Sequence, residues 1–363
     1  MIITGISLYY FRLPFVSALR VGNHTMTHRE GFLVRLTDQL GDVGFGEVSP
    51  LPGLDNATLE DCERDLHRFA RMIRTHGMEI KTRMPVLSGE YNFAPATGFG
   101  LESAMLSIAA GKSAGRENVT GETLKLAVNG LYVPDSNPDR EQIQADTLLE
   151  GGFSTIKIKI GRLPLSAEAA SIRYMLGRVG KNVLLRLDGN RSLSLPLYRR
   201  YFDALNDLPV EYVEEPLANG DFNQAGEVGW PLAIDESLTD YWDRRTGRFI
   251  NLPGAVTHAV LKPATPVGLS AVTRAFSESE HPHPLPVFSS AFNSIYGICA
   301  LMLYAKQVPA AIQTAHGLGT GTFLKSDLVG NTPAVTDGCL SVPANILWEP
   351  TSPDFRQLQE IDL

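Results

Sequence analysis

Hydrophobic and polar positions divide the chain into two differently patterned parts. In the N-terminal third, apolar runs such as Phe32-Leu33-Val34-Arg35-Leu36 and Gly44-Phe45-Gly46-Glu47-Val48 flank a turn signal at Gly41-Asp42, which predicts paired strands. Leu59 to Ile73 follows, with Leu66, Phe69, Ala70 and Ile73 at helical spacing, and Phe99 to Ala110 gives a second, more buried helical stretch. Strands followed by helices, without alternation, predict an α+β unit over residues 1–122.

From Leu126 onwards short β-rich runs alternate with helix-length segments: Leu126-Ala127-Val128, Thr155 to Ile160, Val183 to Asp188, Glu211 to Glu214, Leu232 to Asp235, Ala259 to Lys262, Pro286 to Ser289 and Ala311 to Thr314. Their spacing, about 20 to 30 residues, accommodates a strand, a helix and two short loops, so the units predict a parallel sheet with right-handed crossovers. The fold class expected is α/β, a (β/α)7-8 TIM-type barrel over residues 123–330 with the N-terminal α+β unit as a capping domain. A doubly wound open sheet is the rival, but it gives no reason for polar residues at the end of nearly every strand. Residues 331–363 are expected to leave the barrel and return to the capping domain.

Composition narrows the function classes. A formal net charge of −8 and the absence of a basic stripe argue against nucleic acid as a partner. No apolar stretch approaches the length of a membrane span, and the N-terminus lacks a basic segment followed by a long apolar run. Cys62, Cys299 and Cys339 lie far apart, which suggests neither a disulfide framework nor a zinc site. The expectation is a cytoplasmic enzyme acting on a small molecule, with its oligomeric state open.

In a barrel, residues i and i+2 of one strand both point inward, and those near the C-terminal end reach the site. Lys157 and Lys159 obey that rule on one strand, and two ammonium groups so close are expected to lower one another's pKa and free one amine as a base. Arg186, Asp188 and Asn190 alternate on the next strand, which is followed by ends at Glu214-Glu215-Pro216 and Asp235-Glu236. Asp188, Glu214 and Asp235 would therefore stand side by side, and three crowded carboxylates call for a cation. Oxygen ligands without His or Cys indicate Mg²⁺, with Mn²⁺ as a substitute. Glu215 and Glu236 fall just behind these ligands, in supporting positions. Lys262, ending the sixth strand across from Lys159, completes a metal flanked by two lysines, suited to removing a proton next to a substrate carboxylate.

The pattern Lys157-x-Lys159, Asp188-x-Asn190, Glu214-Glu215-Pro216, Asp235-Glu236 and Lys262-Pro263, together with Gly46-Glu47, resembles the enolase superfamily and its muconate lactonizing enzyme subgroup over nearly the whole chain. Enolase-superfamily sites are known to use a Lys or His base with one or two Mg²⁺ ions. Within the subgroup, Leu185 to Arg191, Phe288-Ser289-Ser290 and Ala315 to Gly321 are most similar to the o-succinylbenzoate synthases, which dehydrate 2-succinyl-6-hydroxy-2,4-cyclohexadiene-1-carboxylate in menaquinone biosynthesis. The resemblance implies that Asp188, Glu214 and Asp235 bind Mg²⁺ and that Lys159 removes the α-proton and returns it to the departing hydroxyl. It also implies that Lys262 stabilises the enediolate and that Lys157 tunes Lys159 and touches the carboxylate. Gly189 stands where Ala is expected in the family's Asp-x-Asn element.

Specificity is expected from two lid segments of the capping domain, Ser17 to Met26 and Pro50 to Leu54. Arg20, Arg186, Asn190, Ser289, Gly317 and Leu318 are the candidate substrate contacts. His281-Pro282-His283-Pro284 reads as a polar loop. Muconate cycloisomerisation and N-acylamino acid racemisation use the same first half-step and stay open, as does a silent carboxylate-binding barrel; the last has no use for opposed bases.

Overall fold

In the computed structural model, which describes residues 1–80, 87–114, 123–180, 182–279, 284–330 and 333–363, the two sequence patterns become two kinds of sheet. Strands β1 (Ile2–Val21), β2 (His24–Asp38) and β3 (Val43–Val48) form an antiparallel meander. Helices α1 (Leu59–His76) and α2 (Pro95–Ala114) pack on it. A reciprocal capping box starts α1: Asp61 N–H donates to Thr58 Oγ1, and Thr58 N–H donates to the Asp61 carboxylate. Leu66, Phe69 and Ile73 then bury the face of α1 against Phe32, Val34 and Leu101.

The second sheet contains seven strands, all parallel and in chain order. They are β5 (Gly130–Tyr132), β6 (Thr155–Lys159), β7 (Leu184–Asp188), β8 (Val210–Glu214), β9 (Leu232–Ile234), β10 (Val256–Leu261) and β11 (Leu285–Phe288). Both faces are buried, as parallel sheets require. Tyr212, Ala233, Val260 and Val287 make a small cluster on one face, while Val213, Ile234, Leu261 and Phe288 on the other join the large core with the helices.

Two expected strands lie elsewhere. Leu126 and Ala127 belong to β4 (Thr123–Ala127), which pairs antiparallel with β12 (Cys339–Pro343), so β5 is the first parallel strand. Ala311 to Thr314 is not a strand. Pro309, whose fixed φ suits the first turn of a helix, opens a 3₁₀ turn over Pro309–Gln313. The extended residues come just after it. His316 bridges Val128, which lies between β4 and β5, and Gly317 bridges Ser289, just past the end of β11. A methyl group on Gly317 would meet Ser289 Oγ at 2.7 Å, which explains the glycine.

At the chain's end, β13 (Leu358–Ile361) pairs with β1. The expected boundaries near residues 122 and 331 fall outside the described residues, as do His281, Pro282 and His283. Among the described residues, no helix is long and apolar enough to cross a membrane.

Candidate active site

Register places the charged residues. Lys159 pairs with Asp188 across β6 and β7, and Asp188 with Glu214 across β7 and β8; Glu214 pairs with Ala233, leaving Asp235 just beyond β9. All three acids are buried, and lysines stand on both sides of them. Lys159 Nζ donates to Asp188 Oδ2 at 2.6 Å and to Asn190 Oδ1 at 2.7 Å. Lys157 Nζ lies 2.7 Å from Asp188 Oδ2 and 2.7 Å from Glu214 Oε1. Lys262, just beyond the end of β10, donates to Asp235. Three strands separate Lys262 from Lys159.

The electrostatics differ from the expectation for paired lysines. Burial acts to lower the Lys157 ammonium, but Asp188 and Glu214 outweigh it, with help from Tyr212 and Asp235, and its pKa rises well above the ordinary value. For Lys262, too, burial is overcome by Asp235, Glu236 and Glu214. Burial and the neighbouring Asp188 push the Glu214 carboxyl up to about 7, although Lys157 opposes them. Asp188 goes the other way: Lys157 and Lys159 overcome its burial and hold it low. The lysine charges are therefore tied to carboxylates rather than set against each other.

The acids suit a hard divalent cation in type and in sharing one layer. Among the described residues, however, no three His, Cys, Asp or Glu side chains converge as a metal-binding group. Lysine ammonium groups now answer the acids' charge, with Lys157 between two of them.

Glu215 is not free to face a ligand. Its Oε1 accepts the N–H groups of Asp235 (2.9 Å) and Ser237 (2.8 Å), and its Oε2 accepts Ser237 Oγ and Arg191 Nε. It thereby fixes the backbone that carries Asp235. Asn190, Arg191 and Glu215 have positive φ of 42°, 54° and 41°, strained conformations of the kind that cluster at functional sites. A methyl group on Gly189 would lie 2.9 Å from Pro216 Cα, so glycine fits where alanine is expected. Glu236 is exposed, within electrostatic reach of Lys262.

Arg186 departs from its expected substrate-contact role. It sits one inward position below Asp188, fully buried, and donates to Glu211 (2.6 Å), Thr314 Oγ1 (2.7 Å) and the Ala315 carbonyl (2.6 Å). Leu318 is also buried, in the large core. Ser289 is half-buried beside Gly317. Arg20 is exposed near the β1–β2 turn, bonded to the Gly22 carbonyl at 3.3 Å. That turn meets the Pro50–Leu54 loop, since a methyl group on Gly53 would lie 2.6 Å from the Val21 carbonyl oxygen. Asp55, next in that loop, is within electrostatic reach of Lys262.

Sequence reasoning missed Arg191 as Glu215's partner and Asn293-Ser294 beyond β11. Ser294 directly precedes the apolar run Ile295–Lys306, helix α3, and caps it; that signal was readable.

Residues 140–346 match the enolase C-terminal domain-like family, and residues 3–108 match the MenC N-terminal domain. The o-succinylbenzoate synthase of Klebsiella pneumoniae (strain 342) is 25% identical over 342 residues, covering 93% of this chain and 97% of that protein. Protein PHYLLO, chloroplastic, of Arabidopsis thaliana is 28% identical over 350 residues, or 84% of this chain, but this chain spans only 20% of its length. Among solved structures, muconate lactonizing enzyme from Mucobacterium Smegmatis superposes with a TM-score of 0.76 at 21% identity, with both chains covered completely. The dipeptide epimerase from Enterococcus faecalis V583, complexed with Mg and L-Leu-L-Tyr, gives 0.73 at 18% identity, covering 94% of this chain and 97% of that one. At such identities these structures speak to fold alone. With the C-terminal match spanning more than half of its residues, the chain belongs to the enolase superfamily.

Proposed function

We propose that this chain is an o-succinylbenzoate synthase, a carbon–oxygen lyase that dehydrates 2-succinyl-6-hydroxy-2,4-cyclohexadiene-1-carboxylate. The observation that carries the reading is the register Lys159–Asp188–Glu214, continued by Asp235 and closed by Lys262. It sets three acids between two lysines at one end of a parallel sheet. Support for the substrate comes from the relatives named o-succinylbenzoate synthase and from the MenC N-terminal match.

In this reading, the seven strands and the His316–Gly317 segment form a closed barrel over residues 123–330. Residues 1–122 cap it, and 331–363 return to the cap. Asp188, Glu214 and Asp235 hold Mg²⁺, which supplies positive charge for the substrate carboxylate. Lys159 takes the proton from the adjacent carbon and returns it to the departing hydroxyl on the same face. Lys262 holds the enediolate's negative charge from the opposite side, and Lys157 holds the carboxylate. Glu215, with Arg191, keeps Asp235 in place. Asn190 orients Lys159; Ser289, the backbone of Gly317 and Leu318, and Arg20 complete the substrate contacts. The free thiols Cys62, Cys299 and Cys339 suit a cytoplasmic setting.

Opposed lysines are also what racemisation needs, so N-acylamino acid racemase is the second reading. The test offers the cyclohexadiene carboxylate, an N-succinylamino acid and cis,cis-muconate to the purified protein with Mg²⁺. Loss of the cyclohexadiene chromophore, with EDTA stopping it, is expected. Turnover of the amino acid or the muconate alone would overturn the assignment.

A further inference from the structure

A buried polar chain runs from the N-terminal unit to the loop after β11, and the chemistry at the strand ends does not use it. Its hub is Glu47 on β3, fully buried. Glu47 Oε1 accepts Asn293 Nδ2 at 2.9 Å, and Oε2 accepts Ser294 Oγ and the Gly297 N–H (3.1 Å) at the start of α3. A carboxylate is well placed at a helix N-terminus. On the N-terminal side, Ser49 Oγ donates to Glu47 and accepts from Asn293 Nδ2 (3.2 Å) and from Arg29 Nη2 (2.9 Å). The buried Arg29 also donates to the Pro50 carbonyl at 2.7 Å, where the Pro50–Leu54 loop begins.

On the other side, Asn293 Oδ1 accepts the Ala291 N–H at 2.9 Å and Ser290 Oγ at 3.3 Å. Thr320 Oγ1 donates to Ser290 Oγ at 2.8 Å. Between these anchors Phe292 is held at φ 58°, strained for a bulky residue. Its ring packs edge-on against Phe15 of β1 and Phe323 beyond Gly317, at 6.0 and 5.4 Å. Asn293 links the two sides because its amide donates to a carboxylate on one side and accepts an N–H on the other.

We infer that Asn293 is a positioning residue that sets the Pro50–Leu54 loop and the Ser289–Phe292 loop together, so that substrate affinity depends on a contact between the two parts of the chain. The inference rests on the proposed function for its kinetic meaning. The lysines and acids lie outside the network, so its loss acts on binding rather than on proton transfer.

The test compares Asn293→Asp, Asn293→Ala and the exchange Glu47→Gln/Asn293→Asp in the full chain. Asn293→Asp sets two carboxylates together and should raise KM about tenfold or more while kcat stays within about threefold; the exchange should bring KM back to within about threefold of the parent, because the amide then sits on the other partner. Hydrogen exchange should quicken in residues 50–54 and 289–293 together for Asn293→Ala, and return to parental rates in the exchange variant. Parental KM and exchange in Asn293→Asp and Asn293→Ala would overturn the inference. So would parallel loss of kcat and thermal stability without rescue, which marks a merely structural residue. Hydrogen exchange needs no turnover: a parent inactive on all substrates with both loops still coupled would sink the functional reading and leave the coupling standing.

Discussion

Two layers of charge sit one above the other on the same parallel strands, and they are built differently. In the deeper layer Arg186 is fully buried; Glu211, Thr314 and the Ala315 carbonyl take its donors, and its guanidinium lies 4.9 Å from the Tyr212 ring centroid. Tyr212 packs in turn against His258, the ring centroids 4.6 Å apart and the rings tilted by 40°. In the layer at the strand ends, charges meet side chain to side chain, and the lysines keep 16 to 22% of their side-chain surface exposed. The deeper network joins β7 and β8 to Thr314 and Ala315 beyond the 3₁₀ turn. At the strand ends a partner can be exchanged for a ligand, because each ion pair needs only a side-chain rotation to open.

The comparison breaks most visibly at Arg186. Arg186→Met leaves Glu211 without its main partner and should cost about 4 kcal/mol, as removing one member of a buried pair does. Urea unfolding measures it. Activity per folded molecule should change less than about threefold, since the residue lies below the reacting layer; a selective loss of activity at parental stability would move Arg186 into the site.

Glu102 of α2 tests burial with no ionic partner among the described residues. It is 1% exposed, and burial raises its carboxyl from 4.5 to about 7, against hydrogen bonds from Ser270 and the Leu87 N–H. The folded state therefore binds its proton more tightly than the unfolded state. Below pH 4.5 both states are protonated and Glu102 costs nothing; as pH rises to about 7 stability falls, and the loss levels off above that. Glu102→Gln should remove this slope and stabilise the chain by roughly 3 kcal/mol at pH 8. Unfolding free energies measured from pH 4 to 8 decide it, and identical pH dependence in the two chains would contradict the account.

The smallest effect belongs to Arg20. Exposed and, among the described residues, held by a carbonyl 3.3 Å away, it should leave stability within about 0.5 kcal/mol on conversion to Ala. KM should rise about threefold at unchanged kcat, the mark of uniform binding. An unchanged KM would remove it from the substrate contacts.

Much of the strand-end layer was legible because period-two alternation and regular spacing identify inward positions at strand ends. Depth was not. Arg186 and Asp188 give the same alternating signal, and only the three-dimensional partners Thr314 and Ala315 place one beneath the other. Short apolar runs misled at both ends of the parallel sheet. Leu126-Ala127 reads like any strand but pairs with residues 339 and 340, and Ala311-Ile312 follows a proline that starts a turn. The Glu47–Asn293 contact joins residues 246 apart and leaves no local trace.

The central claim is that Lys159 removes the proton beside the substrate carboxylate. The most direct measurement is release of label to water from substrate deuterated at that carbon, in the parent and in Lys159→Ala with Mg²⁺ present. The account predicts release in step with product in the parent, and release slower by about 10³-fold in a variant that melts as the parent does. Release at the parental rate from Lys159→Ala would contradict it.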